Sequence, residues 1–136
     1  MMISTKGRYA LRVIIDLAQQ DSDGYISLKS ISQRQEISMK YLEMIVSILN
    51  KAGLLHSQRG KDGGYRLVKP ASRYTVSEIV NLTEGSLAAV PCLDCGENTC
   101  SRAAECLTLP VWEKLDRVID DYLSSVTVQD IIDRRI

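Results

Sequence analysis

Residues 38–69 constrain the fold most. Ser38 precedes apolar residues at Leu42, Ile45, Val46 and Leu49, the i, i+3, i+4, i+7 spacing of one helix face. Gly53 stands where such a helix stops. Residues 54–59 and 65–69 then read as two short strands around Gly60-Lys61-Asp62-Gly63-Gly64, a turn of the kind hairpins need. Upstream, Ser27 caps a shorter helix carrying Leu28 and Ile31, and Gln35-Glu36-Ile37 makes a tight turn. Short helix, turn, longer helix and hairpin is the order of a winged helix-turn-helix, whose second helix enters a major groove at its N-terminal end. On the outer side of that end lie Ser38, Lys40, Tyr41, Glu43 and Met44. Arg59, Lys61 and Arg66 charge the wing, and an arginine beside Gly60 has room to enter a narrow minor groove.

The flanking segments are predicted helical. Ala10, Leu11, Ile14, Leu17 and Ala18 form one face of a helix over residues 5–20, capped by Ser4 or Thr5. Lys6, Arg8 and Arg12 on its first turns are placed to meet phosphates. Tyr25-Ile26 is expected as a very short strand. Thr75-Val76-Ser77-Glu78 has the form of a capping box, and its helix should end near Gly85. After residue 108, with Thr108 as cap and Pro110 in the first turn, comes a broad apolar face of Val111, Trp112, Leu115, Val118, Ile119, Tyr122, Leu123 and Val126. That much apolar surface needs a partner. A two-fold dimer through Trp112, Leu115, Ile119 and Tyr122 is expected, since a DNA reader of this size uses two half-sites. Thr127 caps a last short helix. The expected fold is mainly α with a small β-wing. Residues 1–85 are the winged helix-turn-helix head, 86–107 a cysteine-rich loop, and 108–136 the long dimerisation helix and a C-terminal helix.

Charge agrees with this division. Residues 1–70 carry 11 Lys/Arg against 6 Asp/Glu, and residues 71–136 carry 6 against 11. A basic front and an acidic back fit a head that meets a polyanion and a tail that does not. No apolar run approaches the ~20 residues that cross a bilayer. The opening MMISTKGRYALR lacks the apolar segment of a signal peptide, so the expected location is the cytoplasm. The glycine-rich turn lacks the Gly-Lys-Ser/Thr ending of a phosphate loop, and His56, the single histidine, has no acid–base constellation around it. An enzyme is not expected.

All four cysteines, Cys92, Cys95, Cys100 and Cys106, fall between Pro91 and Pro110. In a reducing compartment such a cluster points to metal or redox chemistry rather than structural disulfides. Soft thiolates suit an iron–sulfur cluster, four of them also suit tetrahedral zinc, and Cys92 and Cys95 are close enough in sequence to pair.

The chain resembles the IscR family of bacterial transcription regulators, the group that includes NsrR and CymR. The likeness runs through STKGRYALR (4–12), SISQRQEIS (30–38), YLE (41–43), AGLLHSQRGKDGGYRL (52–67), CLT (106–108) and Trp112. It implies a homodimeric winged-helix protein that binds double-stranded DNA at a two-fold operator through Ser38, Lys40, Tyr41, Glu43, Arg59, Gly60 and Lys61. It also implies an iron–sulfur cluster, expected as one 2Fe-2S per subunit, with the ligand role carried onto Cys92, Cys100 and Cys106. The histidine that completes the site in the best-known members is replaced by Leu109, and the N-terminal aspartate of NsrR-type members by Arg8. The fourth ligand therefore falls to Cys95 or to Glu43. Two other readings stand beside this one. The first is a cluster-free regulator switched by a partner protein or by thiol oxidation, with structural or zinc-bound cysteines. The second is a redox or electron-transfer protein.

Overall fold

The computed structural model describes residues 2–20, 23–96 and 100–136, without the side chains of 95 and 96. In chain order the main elements are α1 (Thr5–Gln19), α2 (Leu28–Gln35), α3 (Met39–Lys51), β1 (Leu55–Gln58), β2 (Gly64–Leu67), α4 (Val76–Glu84), α5 (Leu109–Ser125) and α6 (Val128–Ile132). Short 3-10 turns stand at Ala71–Arg73, Pro91–Gly96 and Ala103–Glu105.

Local capping explains where the helices begin. Ser4, Ser27, Ser38, Thr75 and Thr127 each accept a hydrogen bond from the backbone N–H three residues on. α3 closes with Ala52 as its cap. Gly53 N–H donates to the Asn50 carbonyl and Leu54 N–H to the Leu49 carbonyl, each at 3.0 Å. These are the two bonds of a Schellman motif, with Gly53 taking the required positive φ of 78°. Glu36 takes a left-handed φ of 54°, which turns the chain sharply between α2 and α3.

The core is made of Ala10, Val13, Ile14 and Leu17 from α1, Ile31 from α2, and Leu42, Ile45, Val46 and Leu49 from α3. Leu55, Tyr74, Ile79 and Val128 join the same cluster. Tyr74 is fully buried. Its hydroxyl donates to the Leu54 carbonyl at 2.7 Å and accepts from the Val68 N–H at 3.0 Å, tying both ends of the hairpin to the head. Burial pushes this phenol's pKa up.

The hairpin is antiparallel, with Leu55 opposite Leu67 and Gln58 opposite Gly64. The expected third strand is a single bridge: Ile26 and Tyr65 exchange two backbone hydrogen bonds of 2.8 Å. A side chain at Gly64 would run into the Ile26 carbonyl, so glycine is needed for that approach.

Several expectations give way to longer-range contacts. Thr75 caps α4, but the Glu78 carboxylate takes the Lys69 ammonium at 2.9 Å rather than completing a capping box. The full box occurs at α6, between Thr127 and Asp130. Thr108 precedes α5 without a side-chain capping bond. Val126 lies beyond α5, not on its apolar face. It is buried with Val76 and Val80, and its carbonyl accepts from Val76 N–H. α6 thereby returns to the head, with Val128 buried in the main core.

Candidate nucleic-acid interface and cysteine loop

The N-terminal half of α3 is presented by a network behind it. Asp16, 1% exposed inside α1, accepts from Arg34 at 2.7 and 3.0 Å and from the Gln35 amide at 2.9 Å. Arg12 donates to both the Gln35 side chain and its carbonyl and lies 5.0 Å over the Tyr9 ring. Tyr9 meets Tyr41 edge-on at 5.6 Å. α1 thus holds the end of α2, the turn and the first turn of α3. Arg12, expected among the phosphate-facing residues, is exposed and also takes part in this bracing. Ser38, Lys40 and Glu43 are exposed, and Tyr41 is half-buried through its contact with Tyr9.

Arg59, Gly60 and Lys61 stand exposed at the wing tip, where Gly60 has a φ of 108°. A Cβ at Gly63 would collide with the Gln58 carbonyl, which keeps the turn tight. Arg66 does not join the tip. It stacks 4.8 Å over Tyr25 and donates to the Asp23 carbonyl at 3.1 Å. Sequence reasoning placed Ser38, Lys40, Glu43, Arg59, Gly60 and Lys61 on this exposed surface. It missed the Asp16–Arg34–Gln35 brace, whose one sequence signal is a carboxylate on the otherwise apolar face of α1.

The cysteine segment joins α4 to α5. Ser4 at the start of α1 donates from both N–H and Oγ to Glu84 at the end of α4, at 2.9 and 2.7 Å. The segment therefore leaves the head at a fastened point. Ala89 N–H donates to Asp116 at 2.8 Å, and Ser77 Oγ to Asp120 at 3.4 Å, which fixes α5 beside α4. An open cavity of about 500 Å³ between them is lined by Asn81, Leu87, Leu93, Asp116 and Ile119, among others.

Cys92 and Cys106 are half-buried thiols outside any disulfide, and Cys100 is exposed. The side chain of Cys95 lies outside the described residues. Cys106 Sγ contacts Thr108 Oγ1 at 3.3 Å, so the hydroxyl expected to cap α5 serves the thiol instead. That hydroxyl, with the Thr108 backbone, holds the Cys106 pKa below its usual value, and Arg102 adds to the effect. The donor chemistry of these thiols fits an iron–sulfur cluster. Among the described residues, however, no three potential ligands are gathered in one group. Of the residues placed on the dimer face, Leu115 and Tyr122 are exposed, while Trp112 and Ile119 are half-buried. No helix is long and apolar enough to cross a membrane among the described residues.

Residues 3–134 match the Rrf2 family model, described as an iron-dependent transcriptional regulator. A Neisseria meningitidis protein described as an HTH-type transcriptional regulator is 42% identical over 135 residues, covering 99% of this chain and 90% of that one. The transcriptional regulator IscR of Photorhabdus laumondii is 37% identical, covering 99% and 81%. Among solved structures, CymR, the global cysteine regulator of B. subtilis, superposes with a TM-score of 0.78 at 36% identity, covering 96% of this chain and 95% of that one. T. potens IscR superposes with a TM-score of 0.77 at 36% identity, covering 100% and 89%.

Proposed function

The chain belongs to the Rrf2 family of transcriptional regulators, and from that premise we propose that it is a homodimeric, cytoplasmic DNA-binding protein whose affinity for DNA is set by an iron–sulfur cluster on the cysteine loop. Its head is residues 1–85, its loop 86–107 and its dimer stalk 108–136. Ser38, Lys40, Tyr41 and Glu43 meet the major groove and its phosphates, and Arg59, Gly60 and Lys61 meet the neighbouring minor groove. A second copy covers the α5 row that includes Leu115 and Tyr122.

The observation that carries the switch is position. The cysteine segment lies between α4, fastened to α1 through Glu84 and Ser4, and α5, the element with an uncovered apolar row. A change of order in that segment bears on the head and the stalk together. Cys92, Cys100 and Cys106 hold the cluster, and Cys95 or Glu43 supplies the fourth position. The bound cluster supplies chemistry sensitive to iron supply and oxidants. Leu93, next to Cys92, lines the cavity against Ile119 and relates the loop to the stalk. DNA affinity responds only if the loaded and empty forms bind DNA differently, and a coupling of ~1–3 kcal/mol suffices.

The test is purification without oxygen, with visible absorption, iron and sulfide content, and DNA binding measured before and after cluster removal. Colour with two irons per subunit, and a DNA affinity that changes on removal, is the expected result. Serine at Cys100 or Cys106 should abolish the spectrum. Serine at Cys95 should abolish it only if that thiol is the fourth ligand, and Glu43→Ala tests the alternative. Equal affinity of both forms for every DNA site tried ends the cluster-switch reading. A colourless protein that still binds DNA leaves a regulator switched by thiols or by a partner.

A further inference from the structure

We propose that Met44 is a specificity-determining residue that reads thymine methyl groups. The inference rests on α3 being the helix that enters the major groove. The apolar face of α3 is used up within the molecule: Leu42, Ile45, Val46 and Leu49 are each at most 1% exposed. The opposite face carries Lys40, Glu43, Met44 and Ser47, all exposed. At 100° per residue Met44 lies about 40° around the axis from Lys40, at the edge of this row beside half-buried Tyr41 and Ile48. It stands about 9 Å along the axis from the Ser38 cap, within the part of a recognition helix that reaches base edges. Lys40, Glu43 and Ser47 on one side of it are polar, Tyr41 and Ile48 lie on the other, and Met44 is 43% exposed.

A single apolar side chain on a protein surface is ordinary. An exposed methionine between a polar row and half-buried Tyr41 and Ile48, on the helix end that meets a groove, offers apolar contact to that groove. The edges of base pairs in the major groove present hydrogen-bond donors and acceptors, and the one apolar group there is the thymine C5-methyl. Methionine has no strong donor or acceptor to spend on the polar edges. Its unbranched, rotatable side chain can lie against a methyl group whose position differs from site to site. The site taken is therefore a duplex half-site with a thymine in register with the second turn of α3.

The test uses the full chain. Preferred duplexes are first selected from a random-sequence pool. Thymines of each half-site are then replaced one at a time by deoxyuridine, which removes the methyl and leaves O4 in place. At least one replacement per half-site should weaken binding about fourfold, the worth of one buried methyl group. Met44→Ala and the length-matched Met44→Gln should bind thymine and uracil duplexes equally, with unchanged circular dichroism and melting temperature. Equal binding of wild-type protein to thymine and uracil duplexes at every position overturns the proposal. So does a uracil effect that persists undiminished in both variants. If the pool yields no preferred duplex, the DNA-reading premise fails and this inference falls with it.

Discussion

α3 and α5 follow the same amphipathic pattern and end in opposite situations. α3 buries four apolar side chains, because α1, α2, α4 and β1 of its own chain surround that face. α5 is four residues longer than α3 and buries none. Its Trp112, Ile119 and Leu123 side is half-covered, with α4 beside it. Val111, Leu115, Val118 and Tyr122 form a row at i, i+4, i+7 and i+11 that remains 39–59% exposed. The spacing of apolar residues says that a face will be covered. It does not say whether the cover comes from the same chain. The comparison also separates two ways of holding a helix: α3 is braced by a core and a half-buried ion pair behind it, α5 by side-chain hydrogen bonds and half-buried contacts.

The largest effect should come from Leu49→Ala in α3. Removing this fully buried side chain should cost about 2–5 kcal/mol, read by chemical denaturation. A loss below 0.5 kcal/mol would put α3 in the same class as α5. Next, Arg34→Ala leaves the Asp16 carboxylate buried with the Gln35 amide as its remaining side-chain donor. Arg34 is itself 36% exposed, so solvent screens part of the loss. A destabilisation of about 1–3 kcal/mol is expected, together with a lower ratio of specific to non-specific DNA affinity. An unchanged ratio in the folded variant would show that the brace stabilises the head without aiming α3.

Arg59→Ala at the wing tip should weaken specific DNA binding by ~1–3 kcal/mol at fixed salt, with little change in melting temperature. Unchanged affinity and unchanged sequence preference would remove the wing tip from the interface. The smallest effect on the folded protomer should come from Leu115→Asp in α5. Its circular dichroism should stay native and the protomer's own stability should move by no more than about 0.5 kcal/mol. Light scattering should nonetheless show monomers for the variant and a dimer for the wild type, because pairing would bury an unpaired carboxylate. A wild-type monomer at micromolar concentration, or a dimeric variant, would mean that the exposed row of α5 is not the dimer face.

What was legible from residues alone is whatever depends on neighbours three or four positions away. The serine and threonine caps, the Schellman ending at Gly53, the turn at Glu36 and the wing between Leu55 and Leu67 are local. Backbone dihedrals and i to i+3 hydrogen bonds define the caps and turns, and the glycine-rich turn sets the register of the wing. The surface placement of Ser38, Lys40, Glu43, Arg59 and Lys61 followed, since a helix with one apolar face must point the other outward. Packing decided which partner each polar group took when several were in reach. Glu78 took Lys69 in place of its own cap, Arg12 took Gln35, and Arg66 took the Asp23 carbonyl. The Ser4–Glu84 pair, 80 residues apart, and the return of Val126 and Val128 to the head also belong to the tertiary structure. Long side chains and distant segments have no preferred partner in the sequence. The core that brings them together selects one.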